Sequence, residues 1–297
     1  MKLILHGVRG SRPTHKPNLA RFGGNSTCAQ FLIDGSDYYL FIDGGSGLAA
    51  AGRVMGETPT GKRFNFLITH THWDHILGFP FFLPMYSAQN DFTFHASDTS
   101  QSTFKKLFYG LSQADNLPIP GHELRAKVKF KSITPETPFS IEEQVRIGTY
   151  QLNHQGVTLG YRLEHGTASA CFITDNAPIA GGNYLGEGMK ERAKADPAGF
   201  EKRFNDGLVA FMRNAHTVVF DTHFNDMNLK PDWGHSTPSL ALDFCIKAAV
   251  KRLIIFHHAP EESDEDVDQK VASVRDRGAR HGVEVVAAVE GKIWDLS

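Results

Sequence analysis

The sequence predicts an α/β protein: two layered β-sheets flanked by helices, in one domain spanning residues 1–297. Three observations predict it. Short runs rich in β-branched and aromatic residues recur from end to end. Amphipathic stretches with helix-start chemistry lie between several of them, mostly in the later half. Several of the strand-like runs also end in a histidine or an aspartate, as one chemically active sheet edge would require.

The early half is strand-rich. Its runs are LILH (3–6), YYLFID (38–43), FNFLITH (64–70), DFTFHA (91–96) and KVKFKSI (127–133). The later half adds RIGTYQLNH (146–154), LGYRLEH (159–165), SACFITD (169–175), HTVVFDTH (216–223), KRLIIFHH (251–258) and VEVVAAVEG (283–291). Four stretches read as helices. In 97–111, Phe104, Leu107, Phe108 and Leu111 share one face after a Ser/Asp start; 200–215 is similar. The stretch 236–250 opens with Ser236 and Thr237 and sets Pro238 in its first turn, and 264–282 begins acidic and ends basic before Gly282, as the helix dipole favours. The segment 176–199 reads as a loop holding at most a short helix. No long linker, low-complexity tract or GxxxxGK[ST] phosphate loop is present, and DGGSGL (43–48) lacks GxGxxG spacing.

Composition removes several functions. Lys and Arg total 31 against 33 Asp and Glu, a net charge of −2 without a basic stripe, which argues against a general polyanion binder. The three cysteines, Cys28, Cys171 and Cys245, are widely spaced and suggest neither a disulfide framework nor a CxxC zinc site. Buried reduced thiols in a cytoplasmic protein are expected instead. The opening MKLILHGVRG has too short an apolar run for a signal peptide, and no stretch approaches the ~20 residues of a membrane helix. Histidine is the unusual count, at 15.

Four candidate ligands crowd the end of one apolar run, in FNFLITHTHWDH (64–75). If the chain leaves its strand extended, residues two apart share a side, so His70, His72 and Asp74 converge; on a helix they would diverge by roughly 200°. His75 breaks that alternation and requires a turn. Imidazoles and a carboxylate at this density need a shared partner to offset their desolvation, and that donor set suits Zn²⁺, Mn²⁺ or Fe²⁺. Other strand ends deliver His154, Asp175, His257 and His258.

These blocks resemble the metallo-β-lactamase superfamily, whose HxHxDH motif appears as HTHWDH. More narrowly, HQGVTLGYRLE (154–164), FITDNA (172–177), VVFDTHF (218–224) and WGHSTPSLALDFCIKAAVKRLIIFHH (233–258) are similar, in family order, to ribonuclease Z and neighbouring phosphodiesterases. HGVRGSRP and RFGGNSTC resemble a bacterial subgroup of metal-dependent phosphodiesterases, some associated with cyclic nucleotides. The resemblance implies a four-layer αββα sandwich of two mixed sheets and a binuclear metal centre, zinc first, with manganese or iron as alternatives. It implies His70, His72 and His154 on one ion, Asp74, His75 and His257 on the other, and Asp175 bridging; His258 competes with His257 for the last place. It also implies a metal-bound hydroxide as nucleophile, with Asp74, Asp221 and His235 as catalytic residues, His235 as the acid and Asp221 its partner. A helix N-cap neighbour is the plain alternative for His235. His223 is a weaker partner, outside the ligand set at most. Asp43 resembles a supporting aspartate, though an aspartate in a tight Gly turn reads equally well. His6, His15, His95, His122, His165, His216 and His281 fit no block.

The expected reaction is hydrolysis of a small phosphodiester such as a cyclic nucleotide. Bacterial ribonuclease Z enzymes carry a long arm between the third histidine and the bridging aspartate; here His154 and Asp175 stand only 21 positions apart. A tRNA 3′-processing endoribonuclease, an ester or lactone hydrolase, and a redox or non-catalytic di-metal protein are the rivals. Nucleic acid is the less favoured partner, no membrane is expected, and a homodimer is left open. The apolar ILGFPFFLPMY (76–86) reads as core ahead of a cleft or a subunit interface.

Overall fold

The computed structural model describes residues 1–55, 60–111 and 124–297; the side chains of Val54, Leu107, Phe108, Tyr109 and Leu111, and the whole of His122, lie outside that description. The described chain forms two compact units. One holds residues 1–14, 23–134 and 290–295, and the other 15–22, 135–289 and 296–297.

The first unit is built on a seven-stranded mixed sheet. Its strands are β1 (Lys2–Gly7), β2 (Cys28–Leu32), β3 (Tyr38–Ile42), β4 (Arg63–Leu67), β5 (Asp91–Ala96), β6 (Lys127–Ser132) and β14 (Ile293–Asp295), in the order β14-β1-β2-β3-β4-β5-β6. Strands β3 to β6 run parallel and the rest pair antiparallel. Parallel neighbours need crossovers, supplied here by α1 (Ser46–Val54), the short α2 (Trp73–Ile76) and α3 (Asp98–Leu111). Alternation along β4 sends Phe64 and Phe66 into one core, where they stack on Phe41 and Phe92 at 4.6–6.1 Å between centroids. Phe79 meets Phe66 edge-on at 5.0 Å and ties the segment after α2 to the sheet. Ile76, Phe79, Phe82 and Met85 are core, as 76–86 reads, whereas Phe81 and Leu83 are exposed.

The second unit repeats the scheme. Strands β7 (Phe139–Ile141), β8 (Val145–Leu152), β9 (Thr158–His165), β10 (Ala168–Ile173), β11 (Thr217–Asp221), β12 (Arg252–Phe256) and β13 (Glu284–Ala287) form a sheet in the order β13-β12-β11-β10-β9-β8-β7. Strands β10 to β13 are parallel and β7 to β10 antiparallel. The crossovers are α4 (Glu187–Ala193) with α5 (Pro197–Met212), then α6 (Pro238–Lys247), then α7 (Asp264–Arg280). Strand β11 is buried on both faces, which is why Val218, Val219 and Phe220 form an unbroken apolar run before its aspartate. Val218, Phe220, Leu253 and Ile255 join residues of α5, α6 and α7 in one core.

Local chemistry explains the helix starts. Thr237 caps α6, its side chain accepting from Leu240 N–H, with Pro238 following. Ser263 and Asp266 close a capping box on α7. Short α4 is the one helix foreseen inside the loop-like stretch 176–199, and α5 begins at Pro197, before the expected start. Strands also end earlier than their apolar runs suggest: β4 at Leu67, β8 at Leu152, β10 at Ile173 and β12 at Phe256, so the chemical residues sit on the loops just beyond. Among the described residues no helix is long and apolar enough to cross a membrane.

Candidate active site

The carboxyl ends of strands carry the chemistry in both units: β3 and β4 in the first, β8, β10, β11 and β12 in the second. In the first unit the chain leaves β4 at Leu67 and turns helical at Trp73, with extended His72 as the N-cap. The expected extended path therefore holds only as far as His72; Asp74 and His75 ride a helical turn. That turn still gathers the group. The His70 ring lies 4.5 Å from that of His72 and 4.2 Å from that of His75, and His75 Nε2 is 3.3 Å from Asp74 Oδ2. His70, Asp74 and His75 are buried, while His72 is exposed.

Asp43 organises this cluster from the end of β3. His75 Nδ1–H donates to its Oδ2 at 2.8 Å, Thr69 Oγ1–H to Oδ2 at 2.7 Å, and Thr69 N–H to Oδ1 at 2.8 Å. His70 Nδ1–H in turn donates to Thr69 Oγ1 at 3.1 Å. Binding both Nδ1 atoms fixes the tautomers and leaves the Nε2 lone pairs as the ones that could ligate a metal. Burial pushes the Asp43 carboxyl up, against the pull of His75 and Thr69. Thr69 and Ser11 escaped the sequence reading. Ser11, at φ 60°, donates its N–H to Asp74 Oδ2 at 2.7 Å, a bond made by the backbone and so carrying no side-chain signature.

In the second unit, Asp175 lies between two imidazoles. Its Oδ2 is 3.5 Å from His154 Nε2 and its Oδ1 is 3.3 Å from His257 Nε2. Both separations exceed an ordinary N–H···O bond and suit neighbouring donors of a shared cation, one carboxylate oxygen facing each imidazole. His154 Nδ1–H donates to the Gly234 carbonyl at 3.0 Å, again leaving Nε2 to ligate. His257 is the residue turned to Asp175, whereas His258 Nε2 approaches the Ala288 carbonyl at 3.3 Å and its ring lies 5.9 Å from Phe22. Of the two, His257 is the one placed beside Asp175. By donor type and tautomer, the residues of both clusters fit divalent metals.

Asp221, at the end of β11, meets His235 as expected: His235 Nδ1–H donates to Asp221 Oδ2 at 2.9 Å. Asn176 N–H donates to the same oxygen at 3.1 Å and His223 N–H to Oδ1 at 2.9 Å. Burial raises the Asp221 carboxyl, but the charge and hydrogen bond of His235, with His257 behind, bring it below the usual carboxylate range. His223 stacks on His235 at 4.6 Å between centroids. Burial, then the charges of His235 and His257, drive His223 down to about 3, so it stays neutral at physiological pH. Asn153 and Asn176, also missed, lock the loops after β8 and β10 together: Asn153 N–H donates to Asn176 Oδ1 at 3.0 Å, and Ser236 Oγ–H donates to the Asn176 carbonyl. Of the histidines that fit no block, His6 and His95 are buried against Gln30 and Asn65, and none of the described ones joins either cluster.

The description of a beta-lactamase superfamily domain matches residues 65–258, more than half of the chain. The chain belongs to the beta-lactamase superfamily. Within it, the protein is a ribonuclease Z-like member of the metallo-β-lactamase group, a fold whose hydrolases use divalent metal ions. Ribonuclease Z of Geobacillus kaustophilus is 23% identical over 304 residues, covering 93% of this chain and 94% of the relative. Among solved structures, the metallo-beta-lactamase fold protein YhfI of Bacillus subtilis aligns with a TM-score of 0.69 at 16% identity, covering 99% of this chain and 98% of that one. The short form of human tRNase Z aligns at 0.67 and 16% identity over 100% of both chains. At such identities the superfamily likeness fixes the α/β fold and leaves the substrate to the site.

Proposed function

We propose that this superfamily member is a binuclear metal-dependent phosphodiesterase acting on small diesters such as cyclic nucleotides, with residues 1–297 as one cytoplasmic catalytic domain. His70, His72 and His154 would hold one ion, and Asp74, His75 and His257 the other, with Asp175 shared. When bound, two divalent ions, zinc first, supply charge against the phosphate oxygens and a water acidic enough to attack phosphorus near neutral pH.

The observation that carries the reading is the Asp221–His235 pair. Asp221 Oδ2 accepts from His235 Nδ1, so the imidazole is oriented and its protonated form favoured. His235 Nε2 then holds the proton that a departing alkoxide needs, and in its charged form opposes the negative charge of a pentavalent phosphorus. His223, kept neutral by burial, is the poorer donor. Ester and lactone hydrolysis calls less for such a pair.

The turn between β9 and β10 supports a small substrate. Thr158–His165 and Ala168–Ile173 are joined by two residues, so no arm rises between His154 and Asp175. The tRNA 3′-processing reading stands second, favoured by end-to-end similarity to ribonuclease Z. Zinc- or manganese-loaded protein assayed on bis(p-nitrophenyl) phosphate, cyclic AMP, an acyl lactone and a precursor tRNA separates these readings. Hydrolysis of the first two without the others is expected, and cleavage of the tRNA alone overturns the proposal. Asp175→Ala and His72→Ala are expected to lose metal and nearly all turnover; His235→Ala keeps metal and loses most turnover. Full activity in His235→Ala would sink the acid role.

A further inference from the structure

Two of the chain's three tryptophans are exposed, Trp73 at 63% and Trp233 at 58%, while Trp294 is 5% exposed. Both exposed indoles adjoin site residues: Trp73 lies between His72 and Asp74, and Trp233 lies two positions before His235. Exposed indoles are enriched where a partner is bound, because the ring offers a large apolar face beside a polar N–H.

The backbone at Trp233 is fixed in a turn. Its N–H donates to the Lys230 carbonyl at 3.0 Å, and Gly234 N–H to the Pro231 carbonyl at 3.2 Å, closing a tight turn over Pro231–Trp233. The Gly234 carbonyl is in turn fixed by His154. Lys230 Nζ sits 4.4 Å from the indole centroid, a cation–π contact on one face. Phe224 bridges to the acid: its ring is 6.3 Å from Trp233 and 6.1 Å from His235. The aromatic plate is therefore two ring-to-ring steps from the proton donor, a reach suited to a nucleotide with its phosphate at His235 and its base further out.

We propose that Trp233 is a specificity-determining residue that stacks the base of a nucleotide phosphodiester on the indole face opposite Lys230. The inference rests on the phosphodiesterase reading and narrows its substrate to diesters bearing an aromatic base. Stacking on an exposed aromatic is sequence-tolerant, so purine and pyrimidine nucleotides should both bind, purines better.

The test compares AMP with ribose 5-phosphate, which keeps the sugar and phosphate and lacks the base. Titration calorimetry of the zinc-loaded full chain is expected to give AMP a Kd roughly ten- to a hundredfold below that of ribose 5-phosphate. Trp233→Ala should bring AMP to the ribose 5-phosphate value and leave the latter unchanged, while Trp233→Phe keeps most of the difference. Equal affinities in the wild type, absence of binding by either ligand, or an equal loss for both in Trp233→Ala overturns the proposal. Phosphodiester turnover is measured on the same preparations. Turnover without a base preference defeats the stacking role alone, and a Trp233-dependent base preference without turnover on any diester defeats the phosphodiesterase reading alone.

Discussion

Replacing Gly234 by alanine should damage metal binding from a residue that is not itself a ligand. Gly234 has φ 85° and ψ 25°, in the left-handed region, where a Cβ costs about 1–3 kcal/mol of strain. The added carbon would stand 2.0 Å from His154 Nδ1 and 2.6 Å from Cε1, far inside contact distance, with the rigid ring of a buried histidine in its way. His154 must swing aside and give up its 3.0 Å bond to the Gly234 carbonyl, the contact that sets its tautomer. Losing such a support typically weakens metal affinity ten- to a hundredfold. Urea denaturation of metal-free protein reads the strain, with a loss of about 2 kcal/mol expected. Competition with a chromophoric zinc chelator reads the affinity. Gly166 is the control, because it also has a positive φ, 59°, but no atom lies within 4 Å of its added Cβ. Gly166→Ala should lose stability and keep zinc affinity. If Gly234→Ala binds zinc as the wild type does, or if both variants lose zinc alike, the steric account of His154 is wrong.

Three further outcomes follow from groups outside the ligand set. Burial, aided by Lys131, holds His95 at about 4 against an ordinary 6.5, so the unfolded chain takes up a proton there that the folded chain refuses. Stability should fall by about 3 kcal/mol as pH drops from 6.5 toward 4, and His95→Gln should flatten that part of the urea-midpoint profile; an unchanged slope counts against it. Lys270 is buried, donating from Nζ to the Thr222 carbonyl at 2.5 Å and the His223 carbonyl at 3.0 Å and pairing with Glu262 at 2.5 Å. Lys270→Met should cost about 3 kcal/mol and slow turnover by loosening the loop after Asp221; wild-type stability refutes this. Cys28, Cys171 and Cys245 are buried with their thiols pushed up, Cys171 to about 12, so iodoacetamide at pH 8 should label none until the chain is denatured, and any native labelling seen by mass spectrometry contradicts the burial.

Periodicity and residue chemistry made much of this legible, and the exceptions have physical causes. Strands β4, β10, β11 and β12 are parallel and buried, so they read as apolar runs with a polar residue beyond. Strand β2, CAQFL, lacks the β-branched signal, and α1 follows a glycine turn with small residues that show neither a stripe nor a cap. Helix α2 is a single turn, shorter than any periodicity can reveal, so Asp74 reads as extended and only His75 signals a turn. The candidate ligands were visible because they are chemically unusual at apolar strand ends. Their supports were not: Thr69, Asn153 and Asn176 are common loop residues, and the Gly234 carbonyl has no side chain at all. What positions a ligand is often backbone or an ordinary amide, and only the fold says which one.

The strand ends themselves show why a site forms there. Asp43, Asp175 and His257 follow β3, β10 and β12 with φ of 56°, 39° and 61°, a region that β-branched residues avoid and that Asp and His tolerate. Each reversal stops the ladder and swings a polar side chain off the line of the strand. The strain is offset by fixed partners: Asp43 N–H reaches the Leu67 carbonyl at 3.0 Å, and Thr174 Oγ1–H reaches Asp175 Oδ1 at 2.6 Å. Glycine would adopt these angles more easily, so local stability does not explain an aspartate or a histidine at all three. A side chain needed at that point would explain the conformation and the residue together, which is the reasoning that links backbone strain to function.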